Sequence, residues 1–152
     1  MADQLHFEDF RVGDAFESPP RTLTLEDFLA FQRLTGDDHP IHYDLDYCRA
    51  RGHPERLAHG LLVMAHTVLG ATSLAPRVHA SMVAFLEQSG RFLAPVYVGD
   101  TLHPRLVVAA VKPQRSTGVV TLRAELRNQR GEAVLEGEHA YLVRRRVPAE
   151  RR

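Results

Sequence analysis

Cysteine is nearly missing from this chain. Cys48 is the only one, so no intramolecular disulfide framework exists, and a reducing compartment fits. A free thiol is most often a buried small hydrophobe, and burial rather than catalysis is the expectation for Cys48. Net charge is missing too: 19 acidic and 19 basic side chains cancel, which argues against a dedicated nucleic-acid surface. No apolar run reaches the length of a membrane span, and Met1–Asp14 is acidic and mixed rather than a basic stretch followed by an apolar one. A cytoplasmic protein without membrane association is therefore expected. No Gly-rich phosphate loop occurs. The nine histidines follow neither a Cys/His nor a His-Glu-x-x-His spacing, so no metal site is expected. Internal repeats and low-complexity segments are absent.

What is present is ordinary for one globular domain spanning residues 1–152: 44% hydrophobic and 25% charged residues, enough for a substantial core. The run Arg144-Arg145-Arg146, with Arg151 and Arg152, reads as a short solvated basic tail.

The most informative stretch is Thr35-Gly36-Asp37-Asp38-His39-Pro40-Ile41-His42-Tyr43. A carboxylate and an imidazole stand five positions apart, with Gly before them and Pro between. Gly permits unusual backbone angles and Pro fixes its own φ, so a shaped loop is expected, one that can present both side chains to a small volume.

Ser18-Pro19-Pro20 separates a lead-in from a helix over Thr22–Leu34, with Thr24 as its cap, Asp27 as an imperfect capping-box partner and Gly36 as its stop. Asp44–Arg51 reads as a short helix closed by Gly52, and His53–Arg56 as a turn. His59–Leu74 is the longest apolar helix candidate, expected to be nearly buried and ended by Pro76. Beyond it, Met82–Ala94, Thr101–Val111, Val119–Asn128 and Ala133–Arg144 read as four long strands. Val98-Gly99-Asp100, Lys112-Pro113, Gly118 and Gln129-Arg130-Gly131 separate them. Short connections make the strands antiparallel. A long helix ahead of a long antiparallel sheet implies an α+β domain with the sheet wrapped around the helix.

These residues resemble the MaoC-like dehydratases, which include the (R)-specific 2-enoyl-CoA hydratases. The family signature Gly-Asp-x-Asn-Pro-x-His is matched by Gly36-Asp37-Asp38-His39-Pro40-Ile41-His42 except at His39, where the family usually has Asn. Leu57-Ala58-His59-Gly60-Leu61-Leu62, Arg91–Leu102 and Phe7–Asp14 resemble three further family blocks in the right order, and the likeness spans about residues 5 to 145. The resemblance implies a hot-dog fold, a homodimer with the pocket between subunits, an acyl-CoA thioester substrate and no cofactor. It also implies that Asp37 and His42 share one catalytic water. His39 would hold the loop differently, narrow the pocket or add an ionisable group.

Hydration of an enoyl thioester needs a base for water, an acid for the α-carbon and a donor to the thioester oxygen. Asp37 and His42 meet the first two demands in either order, separately or as one coupled unit. Gly60, at a helix start with unpartnered N–H groups, meets the third. His59 either orients that helix start or simply packs there. Against these stand plainer readings. Asp37 caps the next helix, His42 is a satisfied loop histidine, His66 sits in the core or an interface, and Asp100 is a turn residue. His39 and His42 are unsuited to chelation, with Pro40 between them and no third ligand. Glu87 or Gln88 faces either pocket or solvent. Arg91, Lys112, Arg115 and Arg144 are candidate cations for CoA phosphates. Two other functions stay open: an acyl-CoA thioesterase, disfavoured because residues 61–74 hold no Asp or Glu, and a non-catalytic acyl-thioester-binding module.

Overall fold

The computed structural model of this chain describes residues 2–146. Its first helix, α1 (Leu25–Thr35), forms where the capping residues place it. Thr24 Oγ1 accepts from Asp27 N at 3.2 Å, and the Asp27 carboxylate accepts from Thr24 N at 2.8 Å. Asp27 is therefore a full capping-box partner. Gly36 ends the helix in the left-handed region (φ 77°), its N–H donating to Gln32 O. α2 (Leu45–Arg49) is capped by Asp44, and Cys48 is buried within it.

One expectation fails. No single helix covers His59–Leu74: α3 spans only Gly60–Ala65, and 3₁₀ turns follow at Leu69–Ala71 and Ala75–Arg77. The N–H groups of His66 and Thr67 bond three residues back, to Val63 O and Met64 O, and the Thr67 hydroxyl also donates to Met64 O at 2.7 Å. That hydroxyl takes a helical carbonyl for itself and is drawn toward His139 at 3.0 Å. Leu61 and Val68 are consequently exposed, and within α3 only Val63 is fully buried.

The sheet runs β1 (Ala15–Glu17), β5 (Thr101–Pro113), β6 (Thr117–Arg127), β7 (Ala133–Arg144) and β3 (Met82–Gln88), all neighbours antiparallel. β2 (Arg21–Thr22) adds to β5 and β4 (Arg91–Phe92) to β7. β1 and β2 are too short for side-chain alternation to reveal them. The expected strand Met82–Ala94 is broken at Ser89-Gly90, where the Ser89 carbonyl lies over Gly137 of β7. The turn expected at Lys112-Pro113 falls instead at residues 114–116, so Gly118 lies inside β6, with the Phe7 ring where a Cβ would stand. In β6 every second residue from Gly118 to Leu126 is buried, as one face on a core requires. α3 packs on this face: Val63 shares a core with Phe28, Leu102, Leu126, Val134 and Leu135. A second core joins Phe7, Phe10 and Phe16 to Leu106, Val120, Leu122 and Tyr141. This is the hot-dog arrangement, an α+β class, with a shorter helix than expected. No helix among the described residues is long and apolar enough to cross a membrane.

The basic tail is not simply solvated. Arg145 pairs with Glu8 at 2.8 Å and Arg146 with Asp9 at 2.7 Å, fastening the last strand to the N-terminal segment. Arg151 and Arg152 lie outside the described residues.

Candidate active site

Leaving α1, the chain is held by side chain–backbone bonds in place of a ladder. Thr35 Oγ1 accepts from Asp37 N at 3.2 Å, Asp37 Oδ1 accepts from His39 N at 3.3 Å, and His39 Nδ1 accepts from Ile41 N at 3.2 Å. The 3₁₀ turn Pro40–His42 then brings His42 back toward Asp37. His39 thus supplies the acceptor that the carboxamide oxygen of an Asn supplies in the same kind of turn. His39→Asn is expected to leave both fold and turnover within about twofold of the parent, since the amide oxygen takes over that bond. A thermal melt and a steady-state assay check this.

His42 Nδ1 lies 2.6 Å from Leu57 O. A carbonyl only accepts, so Nδ1 carries the proton, and a lone pair is left at Nε2 whenever the ring is neutral. Nε2 stands 3.9 Å from Asp37 Oδ2, with side-chain exposures of 12% for His42 and 44% for Asp37. That gap is too long for a direct hydrogen bond. Two acceptors so spaced can hold one water by both its hydrogens, leaving the oxygen lone pairs free. Asp37 therefore shapes the loop through Oδ1 while Oδ2 faces His42.

His59 lies in the same group. It is 3% exposed and its ring stacks on His42, with centroids 3.8 Å apart and planes 24° apart. Phe28 and Phe31 close around it at 5.4 and 4.5 Å. Its Nε2 lies 2.6 Å from Tyr43 Oη, and that hydroxyl donates to Asp37 O at 2.5 Å. Burial, reinforced by His42, pushes His59 down to about 4. Tyr43 was missed from the sequence. Its signal was its place directly after His42, but nothing in spacing shows that a tyrosine's hydroxyl turns back onto its own loop.

Donor atoms of Asp37, His42 and His59 come within 4.8 Å of one another. They fit a metal poorly. Near-parallel stacked imidazoles aim their in-plane lone pairs side by side, whereas a zinc-type ion needs ligands converging at about 2 Å. The His39 and His42 ring centroids are 6.3 Å apart.

Gly60 begins α3, where its N–H has no intrahelical acceptor. A six-residue helix lends little macrodipole, so the useful property is the free N–H rather than the helix field. A Cβ here would stand 3.0 Å from Phe92 Cζ, a tight contact that the half-exposed Phe92 ring would have to ease. Gly60, Leu57, Ala58, Val63 and Phe92 line a cavity of about 440 Å³. Leu57, whose carbonyl anchors His42, belongs to this wall. Arg91 adjoins Phe92 in β4 but lines a different cleft, with Arg123, Glu136 and Glu138, and its guanidinium lies 4.0 Å from Glu136.

The remaining residues resolve individually. His66 is half-buried, donates Nδ1–H to Leu62 O at 2.8 Å, and lines a separate apolar cleft of about 400 Å³ between α1 and α3. Asp100 is a buried turn residue accepting from Tyr97 N and Gln129 Nε2. Glu87 is exposed. Gln88 reaches Thr67 Oγ1 at 3.4 Å, in a polar network with His139 and Tyr141 rather than in the Asp37 site.

Burial also lowers the pKa of His139. Both His59 and His139 therefore resist protonation when folded, while the unfolded chain takes up protons near the ordinary histidine value of about 6.5. The stability they contribute is complete above that value and is lost as pH falls toward about 4, the value of His59. Tm is expected to fall already between pH 7 and 5, before most carboxylates titrate. A flat Tm in that window would contradict neutral burial of both rings.

Known proteins share this sequence family and fold. A family model described as "MaoC like domain" matches residues 9–129. The (R)-specific enoyl-CoA hydratase of Rhodospirillum rubrum is 30% identical, over 91% of this chain and 91% of that protein. The mesaconyl-CoA hydratase of Cereibacter sphaeroides is 33% identical, over 94% of this chain and 42% of that longer protein. Among solved structures, a protein described as the monoamine oxidase regulatory protein from Archaeoglobus fulgius superposes with a TM-score of 0.89 at 32% identity, covering 96% of this chain and 98% of that one. Fold and family model agree, and the chain belongs to the MaoC-like domain family.

Proposed function

We propose that this protein is a hydro-lyase that adds or removes water across the 2,3 double bond of an enoyl-CoA thioester, with Asp37 and His42 activating the water. The observation that carries this reading is the pair itself: Asp37 Oδ2 and His42 Nε2 face each other across 3.9 Å, with His42 held at Nδ1 by Leu57 O. The names of the relatives, an (R)-specific enoyl-CoA hydratase and a mesaconyl-CoA hydratase, support the reaction class.

In hydration, the water oxygen bonds the β-carbon as one of its protons passes to the pair. The π electrons move to the α-carbon and thioester oxygen, and the pair passes a proton on to the α-carbon, completing the addition and returning to its starting state. The N–H of Gly60, a residue that lines the cavity, is the proposed donor to the thioester oxygen. These steps need no cofactor. α3 carries no carboxylate, which disfavours a thioesterase. The test is a panel of straight, branched and dicarboxylic enoyl-CoA thioesters, followed by loss of conjugated-thioester absorbance. Release of free thiol instead would mark a thioesterase, and tight binding without turnover a binding module.

The single buried cysteine, donating to Ile41 O at 3.0 Å, suits a cytoplasmic setting. A homodimer is proposed through β3. This strand ends the sheet and exposes Val83, Phe85 and Leu86, with Phe85 52% exposed. An apolar edge strand of this kind invites pairing with a second copy. Phe85→Glu with Leu86→Glu should turn a dimer into a monomer by light scattering on a sizing column. A parent protein that is already monomeric would refute the edge assignment.

A further inference from the structure

Resting on the hydro-lyase reading, we propose that His59 is a positioning residue for the Asp37–His42 pair: its ring face sets the His42 ring, and its Nε2–H, through the Tyr43 hydroxyl, holds the Asp37 loop.

Proton accounting fixes the direction of this link. Tyr43 has one hydroxyl proton, and Asp37 O, 2.5 Å away, only accepts. The proton therefore goes to Asp37 O, and Tyr43 Oη accepts from His59 Nε2–H across 2.6 Å. His59 Nδ1 is then a bare acceptor. It is buried and meets no hydrogen-bond partner among the described residues. An orphaned buried polar atom costs on the order of 1–3 kcal/mol. A phenylalanine would fill the same space between Phe28, Phe31 and His42 without that cost. Packing alone thus does not account for a histidine here; the Nε2–H bond to Tyr43 does.

The stack supplies the second half. His42 is tethered at Nδ1 to Leu57 O, a single point about which the ring is free to tilt. A flat, immobile ring 3.8 Å away, near-parallel, removes that freedom and aims Nε2 at Asp37. Burial keeps His59 neutral, so it sets no second positive charge against His42 as a proton arrives. His59 also precedes Gly60 directly, so one residue registers base, carboxylate loop and proposed oxyanion donor together.

The experiment compares His59→Phe, Tyr43→Phe and the double variant. Phe at 59 keeps a flat ring and breaks only the hydrogen bond. Each single variant is expected to lower kcat by about 10- to 100-fold with KM within about threefold, because a small misplacement of reacting groups is costly. The double variant should be no slower than the slower single one, since both cut the same link. The amides of His39, Ile41 and His42 should exchange hydrogen faster in both, and His59→Phe should melt at or above the parent temperature. Wild-type kcat and wild-type exchange in His59→Phe would overturn the proposal, and so would additive losses in the double variant. The two readings separate cleanly. If the parent turns over no enoyl thioester, the hydro-lyase reading falls, while exchange and melting still decide the role of His59. If Asp37 and His42 variants are inactive but His59→Phe and Tyr43→Phe are not, only the positioning role falls.

Discussion

Asp37→Asn is expected to lower kcat/KM for enoyl-CoA hydration by about 10³-fold or more, within the span that general acid–base groups contribute, with Tm nearly unchanged. The carboxamide oxygen can still accept from His39 N, as Oδ1 does across 3.3 Å, so the loop keeps its shape. The other atom facing His42 becomes an NH₂ group. It is a donor where the bound water needs an acceptor, and it takes the His42 lone pair for itself. His42→Ala removes the second acceptor and exposes the face of His59, and an equal or larger loss is expected. The double variant should be little worse than either single one, because two groups holding one water act as a unit. Steady-state rates with circular dichroism on each variant decide the matter, and full activity in either would refute the proposed pair.

The second large effect is structural. Gly137→Ala should destabilise the protein by about 2–4 kcal/mol, which for a chain of this size lowers Tm by roughly 5–15 °C. Gly137 lies in β7 directly beneath the Ser89-Gly90 break, and a Cβ there would overlap the Ser89 carbonyl oxygen and crowd the Gly90 backbone. Unlike the end of a flexible side chain, backbone does not swing aside. Ser89 N is itself bonded to Glu138 O at 2.9 Å, so β3, β4 and β7 would have to part together. Gly70→Ala is the control: its Cβ would meet open space and its φ is not positive, so little change is expected. Melting the two variants side by side makes the comparison, and equal temperatures would contradict the close approach at Gly137.

Much of the fold was legible because the sequence signals are local. Thr24, Asp27 and Gly36 bracket α1 through bonds between near neighbours. The alternation from Gly118 to Leu126 reports a sheet with one face on a core. The length of α3 was not legible. The run His59–Leu74 is apolar enough for a long helix, and what stops it is Thr67 turning to a histidine 72 positions away. The Ser89 break likewise depends on a glycine in another strand. The candidate site divides the same way. Asp37 and His42 were readable because the loop that carries them is short and constrained. Tyr43 and the depth of His59 were not, since both follow from the tertiary approach of Leu57–Gly60 to that loop. His39 departs from the family pattern only in identity, since its ring nitrogen makes a bond that an asparagine makes equally well.

The early end of α3 has a consequence for how such a protein can diversify. Thr67 is tied to His139 at one side, and Leu74 is sunk in the core at the other. Between two fixed posts the segment around Gly70 meets open space, yet Val68 and Ala71 form part of the apolar cleft wall. Residues gained or lost there reshape that wall while Gly60, on the far side of the post, keeps its register with Asp37 and His42. Lengthening this segment would therefore alter the cleft wall alone, without moving Asp37, His42 or Gly60.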